Sequence, residues 1–183
     1  MGVRLRRGAC ALVIIDIQER YLPALGDAEA LVDTVSRLAQ GCELLGVPVI
    51  ITEQNPAGIG HTAEAILDHT FDATVVEKRT FSCFGEPAFV EALAETKASQ
   101  LIISGAEAHV CVAQTALDAG ERGMEVFVVS DAVASRTAER KEAGLVRLRQ
   151  AGCVQDCAEG ILFSLLERAD GDEFRMIHKI VTG

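Results

Sequence analysis

Along this chain, short continuous apolar runs alternate with longer stretches in which apolar residues recur at three- and four-residue steps. "CALVIID" (10–16) reads as a strand apolar on both faces, and "AEALVDTVSRLAQGCELLG" (28–46) as a helix stopped by Gly46. "VPVIITE" (47–53) is a second strand and "DATVVEK" (72–78) a third. "EPAFVEALAETK" (86–97) is a helix with Pro87 in its first turn, where a missing N–H costs nothing. "QLIISG" (100–105) is a fourth strand, "VCVAQTALDAGERG" (110–123) a helix closed by glycine, and "MEVFVVSDA" (124–132) a fifth strand. "AERKEAGLVRLRQAG" (138–152) is a helix, followed by a short strand near 153–156 and helical stretches near 159–168 and 172–181. Strands that alternate with helices and are apolar on both faces predict an α/β fold, a parallel sheet covered by helices on both sides. No linker, repeat or low-complexity segment interrupts the pattern, so residues 1–183 read as one domain. In such sheets ligands bind beyond the carboxyl ends of the strands.

The totals narrow the class. A chain of 183 residues that is 49% hydrophobic suits a single domain with a sizeable core. The opening "MGVRLRRGACALVIID" imitates a secretory signal, but its apolar run stops at Asp16 and no small-residue cleavage site follows, so a buried first strand is the better reading. Gly2 does not start a myristoylation pattern, because Arg6 stands where a hydroxyl is needed. No apolar run is long enough to span a membrane. A net charge of −10 argues against a nucleic-acid partner, whose phosphates need clustered Lys and Arg. The six cysteines, at 10, 42, 83, 111, 153 and 157, include no C-x-x-C pair and are expected as reduced thiols in a cytoplasm. The histidines at 61, 69, 109 and 178 show no ligand spacing, so neither a metal nor another cofactor is expected.

Three residues at strand ends stand out. Asp16 closes "ALVII", where burial is costly without a partner; otherwise it caps a helix or loop. Lys78 closes the third strand and is otherwise a solvated surface lysine. Cys111 lies where the fourth strand passes into a helix, and a helix N-terminus favours a thiolate. Alone it reads equally as a small core hydrophobe. Together the three place an acid, a base and a nucleophile at one rim of one sheet.

From about residue 8 to 166, the segments "ALVIIDIQERY", "EKRTFSCF" and "GAEAHVCVAQTALDAGERGMEVFVVSDAVASR" resemble the isochorismatase-like cysteine hydrolases, a superfamily that includes nicotinamidases and N-carbamoylsarcosine amidases. "EAHVC", with "TEQNPAGIG" and "EGILFSLL", is most similar to the branch called isochorismatase domain-containing proteins. The resemblance implies a doubly wound sheet of about six parallel strands in the order 3-2-1-4-5-6. It implies an Asp16, Lys78 and Cys111 triad and a cis peptide between Ala106 and Glu107. The amides of Glu107 and Cys111 would form an oxyanion hole, and the assembly would be at least a dimer. The chemistry would be attack of the Cys111 sulfur on a small amide or related acyl compound, through a thioester.

The residues also depart from parts of that family. Nicotinamidases carry a metal site near the end of the second strand; here Glu53, Asn55 and His61 have the wrong types and spacing. True isochorismatases act on a vinyl ether and lack the cysteine. Many relatives have threonine where this chain has Ala108. His109, two residues from Cys111, is expected to cap or face solvent, because such neighbours diverge. Cys83 is expected in the core or a pocket wall. Gln18, Tyr21, Gln54, Phe81 and Phe84 are the candidate pocket residues. Two functions remain open on this sequence. One is a hydrolase with a small-molecule substrate; the other is a non-catalytic or redox-reactive thiol protein on the same fold. Nicotinamidase is the less favoured activity.

Overall fold

The computed structural model describes residues 4–183, so Gly2 and its lipidation reading lie outside the described residues. Six strands form one sheet: β1 (Cys10–Ile15), β2 (Val49–Gln54), β3 (Thr74–Lys78), β4 (Gln100–Ala106), β5 (Glu125–Ala134) and β6 (Val154–Asp156). Every pairing is parallel, and the order is β3-β2-β1-β4-β5-β6. This is the doubly wound α/β domain that the alternation and the family resemblance predict.

Side chains of a strand point alternately to the two faces, and the two cores divide accordingly. Leu12 and Ile14 of β1 join Ile51, Ile102 and Phe127 under α1 (Ala28–Leu44) and α7 (Ala158–Leu166). Ala11, Val13 and Ile15 join Ile50, Leu101, Ile103 and Val128 under α4 (Pro87–Thr96), α5 (Cys111–Glu121) and α6 (Ala138–Gln150). The last helix, α8 (Gly171–Thr182), packs on α1 and α7. Among the described residues, no helix is long and apolar enough to cross a membrane.

The sequence pattern misses three features. First, β3 is not buried on both faces: only Val76 and Lys78 are buried, and Val75 is exposed. The strand lies at the sheet edge, where among the described residues one flank has no neighbouring strand. β6, at the other edge, is half-buried throughout. Second, the segment after β2 forms two single-turn helices, α2 (Pro56–Ile59) and α3 (Glu64–Leu67), too short for periodicity to register. Third, β5 runs to Ala134, past a register shift between Ile103 and Gly105 of its neighbour β4. That extension carries Ser135 and Arg136 to the carboxyl rim of the sheet.

The chain winds to one side through β2 and β3, and to the other through β4, β5 and β6. The reversal falls between β1 and β4, which pair through Ile15 and Gly105. Gly105 is required there. Its φ is +117°, and a Cβ would sit 2.1 Å from the Ile15 carbonyl oxygen. This close approach sets the ends of β1 and β4 side by side at the switch point where ligands bind in such sheets.

Candidate active site

Asp16 is the first residue beyond β1, in the left-handed region at φ 54°, a conformation Asp adopts more readily than most residues. Lys78 is the last residue of β3 and is only 2% exposed. Its Nζ donates to Asp16 Oδ2 at 2.7 Å, to Gln54 Oε1 at 2.6 Å, and to the carbonyls of Thr80 at 3.2 Å and Phe81 at 3.4 Å. The other Asp16 oxygen, Oδ1, accepts from Thr52 Oγ1 at 2.8 Å. A charge pair this deep persists only when its remaining lone pairs and protons are satisfied, and here Thr52, Gln54 and two carbonyls do so.

Cys111 opens α5 and is 7% exposed, with its thiol against Asp16 and Lys78. Burial and the Asp16 charge push the thiol up to about 12, and the Lys78 cation opposes this only in part. Desolvation and the adjacent carboxylate thus oppose the thiolate that a helix N-terminus favours. Burial also raises Asp16, against the pull of Lys78 and Thr52. Lys78 loses by burial but is raised on balance by Asp16 and Cys111. The resting arrangement is a neutral thiol beside a basic carboxylate and a firmly held ammonium.

The Ala106–Glu107 peptide is cis. Among the described residues, the backbone N–H of neither Glu107 nor Cys111 donates to a protein acceptor, whereas that of Ala108 donates to Ala134 O at 2.8 Å. The Glu107 side chain is nearly buried. Its Oε2 accepts from the Arg136 backbone N–H at 2.9 Å and from Arg136 Nε at 3.1 Å. Burial raises this carboxyl, but those bonds and the Tyr21 hydroxyl hold it below the ordinary glutamate range. Tyr21 lies beside Glu107 and within electrostatic reach of Arg136 and Cys111; burial and Glu107 push its phenol up to about 12.

The candidate pocket residues divide. Tyr21 lies beside Glu107 and packs in part against the core on the α1 side. Gln54 holds Lys78 through Oε1 and the Arg79 carbonyl through Nε2 at 3.0 Å, so it positions the cation. Gln18 is a brace and no pocket contact: its amide donates to the carbonyls of Gly60 at 2.5 Å and Gln54 at 3.1 Å, and accepts from the Gln54 N–H at 2.7 Å. Every polar atom of that side chain is used in joining the segment after β1 to the end of β2. Phe81 contributes its carbonyl to Lys78, while its ring is exposed. The Phe84 ring meets Phe89 edge-on with centroids 5.3 Å apart and lies 4.5 Å under Arg122, so it packs α4 and α5.

His109 bonds Ser135 Oγ at 3.0 Å through Nδ1. Cys83 is fully buried: its N–H donates to Thr115 Oγ1 at 3.0 Å, the Thr115 hydroxyl reaches its Sγ at 3.3 Å, and desolvation pushes its thiol up to about 11. Glu53 braces the loop at residues 61 and 62. One oxygen accepts from Thr62 N at 2.7 Å and Oγ1 at 2.8 Å, and the other meets His61 Nδ1 at 2.9 Å. Asn55 turns the chain at φ 44°. Among the described residues, no group of three His, Cys, Asp or Glu is placed to hold a metal ion.

Sequence reasoning missed Thr52, Thr115 and Arg136. Thr52, inside a strand, has no signal beyond its β-propensity, and Thr115 sits inside α5 with no signal of its own. Arg136 gave a signal only through its place at the end of "SDAVASR", one turn beyond the predicted strand.

The sequence profile of the Isochorismatase domain matches residues 10–159. Isochorismatase domain-containing protein 2 of Danio rerio is 36% identical over 183 residues, covering 97% of this chain and 89% of the relative. The structure of MAR1 ribonuclease from Caenorhabditis elegans superposes with a TM-score of 0.93 at 31% identity, over 99% of this chain and 93% of that one. The YcaC product of Escherichia coli, described as an octameric hydrolase of unknown specificity, superposes with a TM-score of 0.92 at 26% identity, over 98% and 91% of the two chains.

Proposed function

The chain belongs to the isochorismatase family of hydrolases, and on that premise we propose that it is a cysteine hydrolase of a small amide or related acyl compound, with Cys111 as nucleophile, Asp16 as base and Lys78 as the cation that fixes Asp16. The observation that carries this reading is the buried 2.7 Å pair of Lys78 Nζ and Asp16 Oδ2, set against the Cys111 thiol. A scaffold gains nothing from burying two charges beside a cysteine, whereas a thiol held neutral by its surroundings needs an adjacent base in order to react.

The steps follow from the protonation states. As the Cys111 sulfur attacks the acyl carbon, its proton passes to Asp16, whose raised basicity suits it to accept one. The developing oxyanion is met by the N–H groups of Glu107 and Cys111. Loss of one such donor typically slows turnover by about 10²–10³. Asp16 returns the proton to the leaving amine. Water then attacks the thioester and gives a proton to Asp16; the carbon–sulfur bond breaks, the carboxylic acid leaves, and Asp16 returns the proton to the Cys111 sulfur. Lys78 stays protonated throughout, keeping Asp16 oriented; no step requires a cofactor.

The net charge of −10 favours a small molecule over a nucleic acid as substrate. Residues 1–183 act as one hydrolase domain in a cytoplasmic setting. Like the octameric relative, the chain assembles into an oligomer. The test is a panel of small amides followed for amine release, with intact mass recorded during turnover. The wild type is expected to release amine and show an acyl adduct on Cys111, absent in Cys111→Ser. Turnover that survives Cys111→Ser refutes the proposal.

A further inference from the structure

Cys83 is a buried thiol that the proposed reaction leaves idle, yet it stands behind the base. It opens the short turn Cys83–Gly85 between β3 and α4 and is fully buried. Two threonines link it to the centre. The Thr115 hydroxyl lies 3.3 Å from Cys83 Sγ, Sγ lies 3.9 Å from Thr52 Oγ1, and Thr52 Oγ1 lies 2.8 Å from Asp16 Oδ1. The direction of this chain is fixed at both ends. The Cys83 backbone N–H can only donate, and it donates to Thr115 Oγ1 at 3.0 Å, which leaves the Thr115 proton for the sulfur. The Asp16 carboxylate can only accept, so the Thr52 proton belongs to Asp16 and a Thr52 lone pair is left for the thiol. Between them the Cys83 S–H donates to Thr52. Desolvation pushes this thiol up to about 11, so the proton stays on the sulfur.

Donors that all point one way polarise one another, so the bond at the charged end gains from those behind it. The titratable groups around Asp16 are Lys78 on β3, Cys111 on α5 and Cys83. Lys78 grips Oδ2, and the chain from Cys83 reaches Oδ1, so the carboxylate is held from both sides. The S–H is a weak donor, and its effect is to trim the basicity of Asp16, not to switch it. We propose that Cys83 is a positioning residue for the reaction: its thiol, aimed by Thr115, polarises the Thr52 hydroxyl that fixes Asp16, and so keeps Asp16 a carboxylate ready to take the Cys111 proton. This rests on the reading of Asp16 as the base.

The test is the pH dependence of Cys111 alkylation by iodoacetamide, read at Cys111 by peptide mass spectrometry. A bond forms from Cys111 Sγ to carbon as the carbon–iodine bond breaks; iodide leaves and the thiol proton goes to Asp16. The rate therefore falls on the acid side with a midpoint set by Asp16, and Asp16→Asn should abolish that limb. In Cys83→Ala the midpoint is expected to rise by roughly 0.3–0.5 pH unit, the scale of a neighbour that polarises an existing bond. Cys83→Ser restores a donor and should return the midpoint to that of the wild type. Loss of side-chain volume alone would slow the reaction at every pH and leave the midpoint in place. A midpoint unmoved by Cys83→Ala, or moved equally by Cys83→Ser, overturns the inference while leaving Asp16 as the base. An acid limb that survives Asp16→Asn overturns the underlying reading, and this one with it. If Cys83→Ala does not fold, Thr115→Val carries the test, because it removes the hydroxyl that aims the thiol at nearly the same volume. Its midpoint should also rise, and a midpoint equal to that of the wild type then overturns the inference.

Discussion

At the scale of the residue, the site is an argument about which charge prevails. Cys111 is a poor resting thiolate because desolvation and Asp16 together outweigh Lys78. The wild-type minus Cys111→Ser thiolate absorbance should thus stay flat from neutral pH to about pH 10, where a free thiol of pKa ~8.5 would already be ionised. A step below pH 9 or so would show the electrostatic reading to be wrong. Lys78→Ala should remove the one cation that opposes the rise and strand a buried carboxylate. A stability loss of about 3–5 kcal/mol by denaturant titration is expected, because the surviving charge is unpaired. Glu53 supplies a pH signature with a definite sign. Burial raises it, but the Thr62 and His61 bonds hold it below its ordinary 4.5. A depressed carboxyl gives stability that is present above pH 4.5 and lost as pH falls through the lower folded value. Glu53→Gln should therefore flatten the acid limb of stability below about pH 4.5, and thermal melts across that range would reveal an unchanged limb if the bonds contribute nothing. These residue-scale roles were only partly legible in the chain. Asp16 and Lys78 could be singled out by their place at strand ends, but Gln18 could not be recognised as a brace. Its acceptor at Gly60 is 42 residues away, and nothing local marks it.

At the scale of the element, glycines decide how closely the pieces approach. Gly144 in α6 sits against the loop before the nucleophile: a Cβ there would lie 2.7 Å from the Ala108 carbonyl carbon and oxygen and 2.8 Å from His109 N. Alanine at this position raises helix propensity, yet it must push the loop that aims Cys111. Gly144→Ala is expected to slow alkylation of Cys111 by at least about tenfold, the sensitivity typical of small misplacements at a reacting centre. Gly120 in α5 is the control, since a Cβ there meets nothing within 4 Å. Gly120→Ala should stabilise the fold by about 0.5–1 kcal/mol and leave the alkylation rate alone. If the two variants behave alike, close packing of α6 on the loop is not what positions the cysteine. The helices and central strands were readable from periodicity because each buries a continuous stripe or two full faces. The single-turn helices α2 and α3 were not, because a four-residue element has no period to detect.

At the scale of the whole molecule, the sheet ends in two edge strands, β3 and β6. β3 exposes Val75, and Phe71 just ahead of it is 84% exposed. Edge strands with large apolar neighbours invite pairing with another chain. The assembled state proposed above should therefore appear in sedimentation at micromolar concentration, and Phe71→Asp should shift it toward monomer if this edge contributes. A wild-type chain that sediments only as monomer refutes the assembly.

The sequence by itself determined the class of fold and marked the candidate residues. Apolar runs that alternate with helical periods demand a parallel sheet between helices, because only that arrangement buries strands on both faces. The order of residue types fixed an acid, a lysine and a cysteine at strand ends. Tertiary structure alone decided what those groups are. Lys78 became a buried partner of Asp16 across 62 residues because β3 and β1 flank β2, which places both strand ends over one crevice. The same closure removed water from Cys111 and raised its pKa. The longer β5 brought Arg136 to Glu107, a contact between residues 29 apart. Proton affinity and donor geometry depend on neighbours brought together through space, and periodicity along a chain carries no record of them.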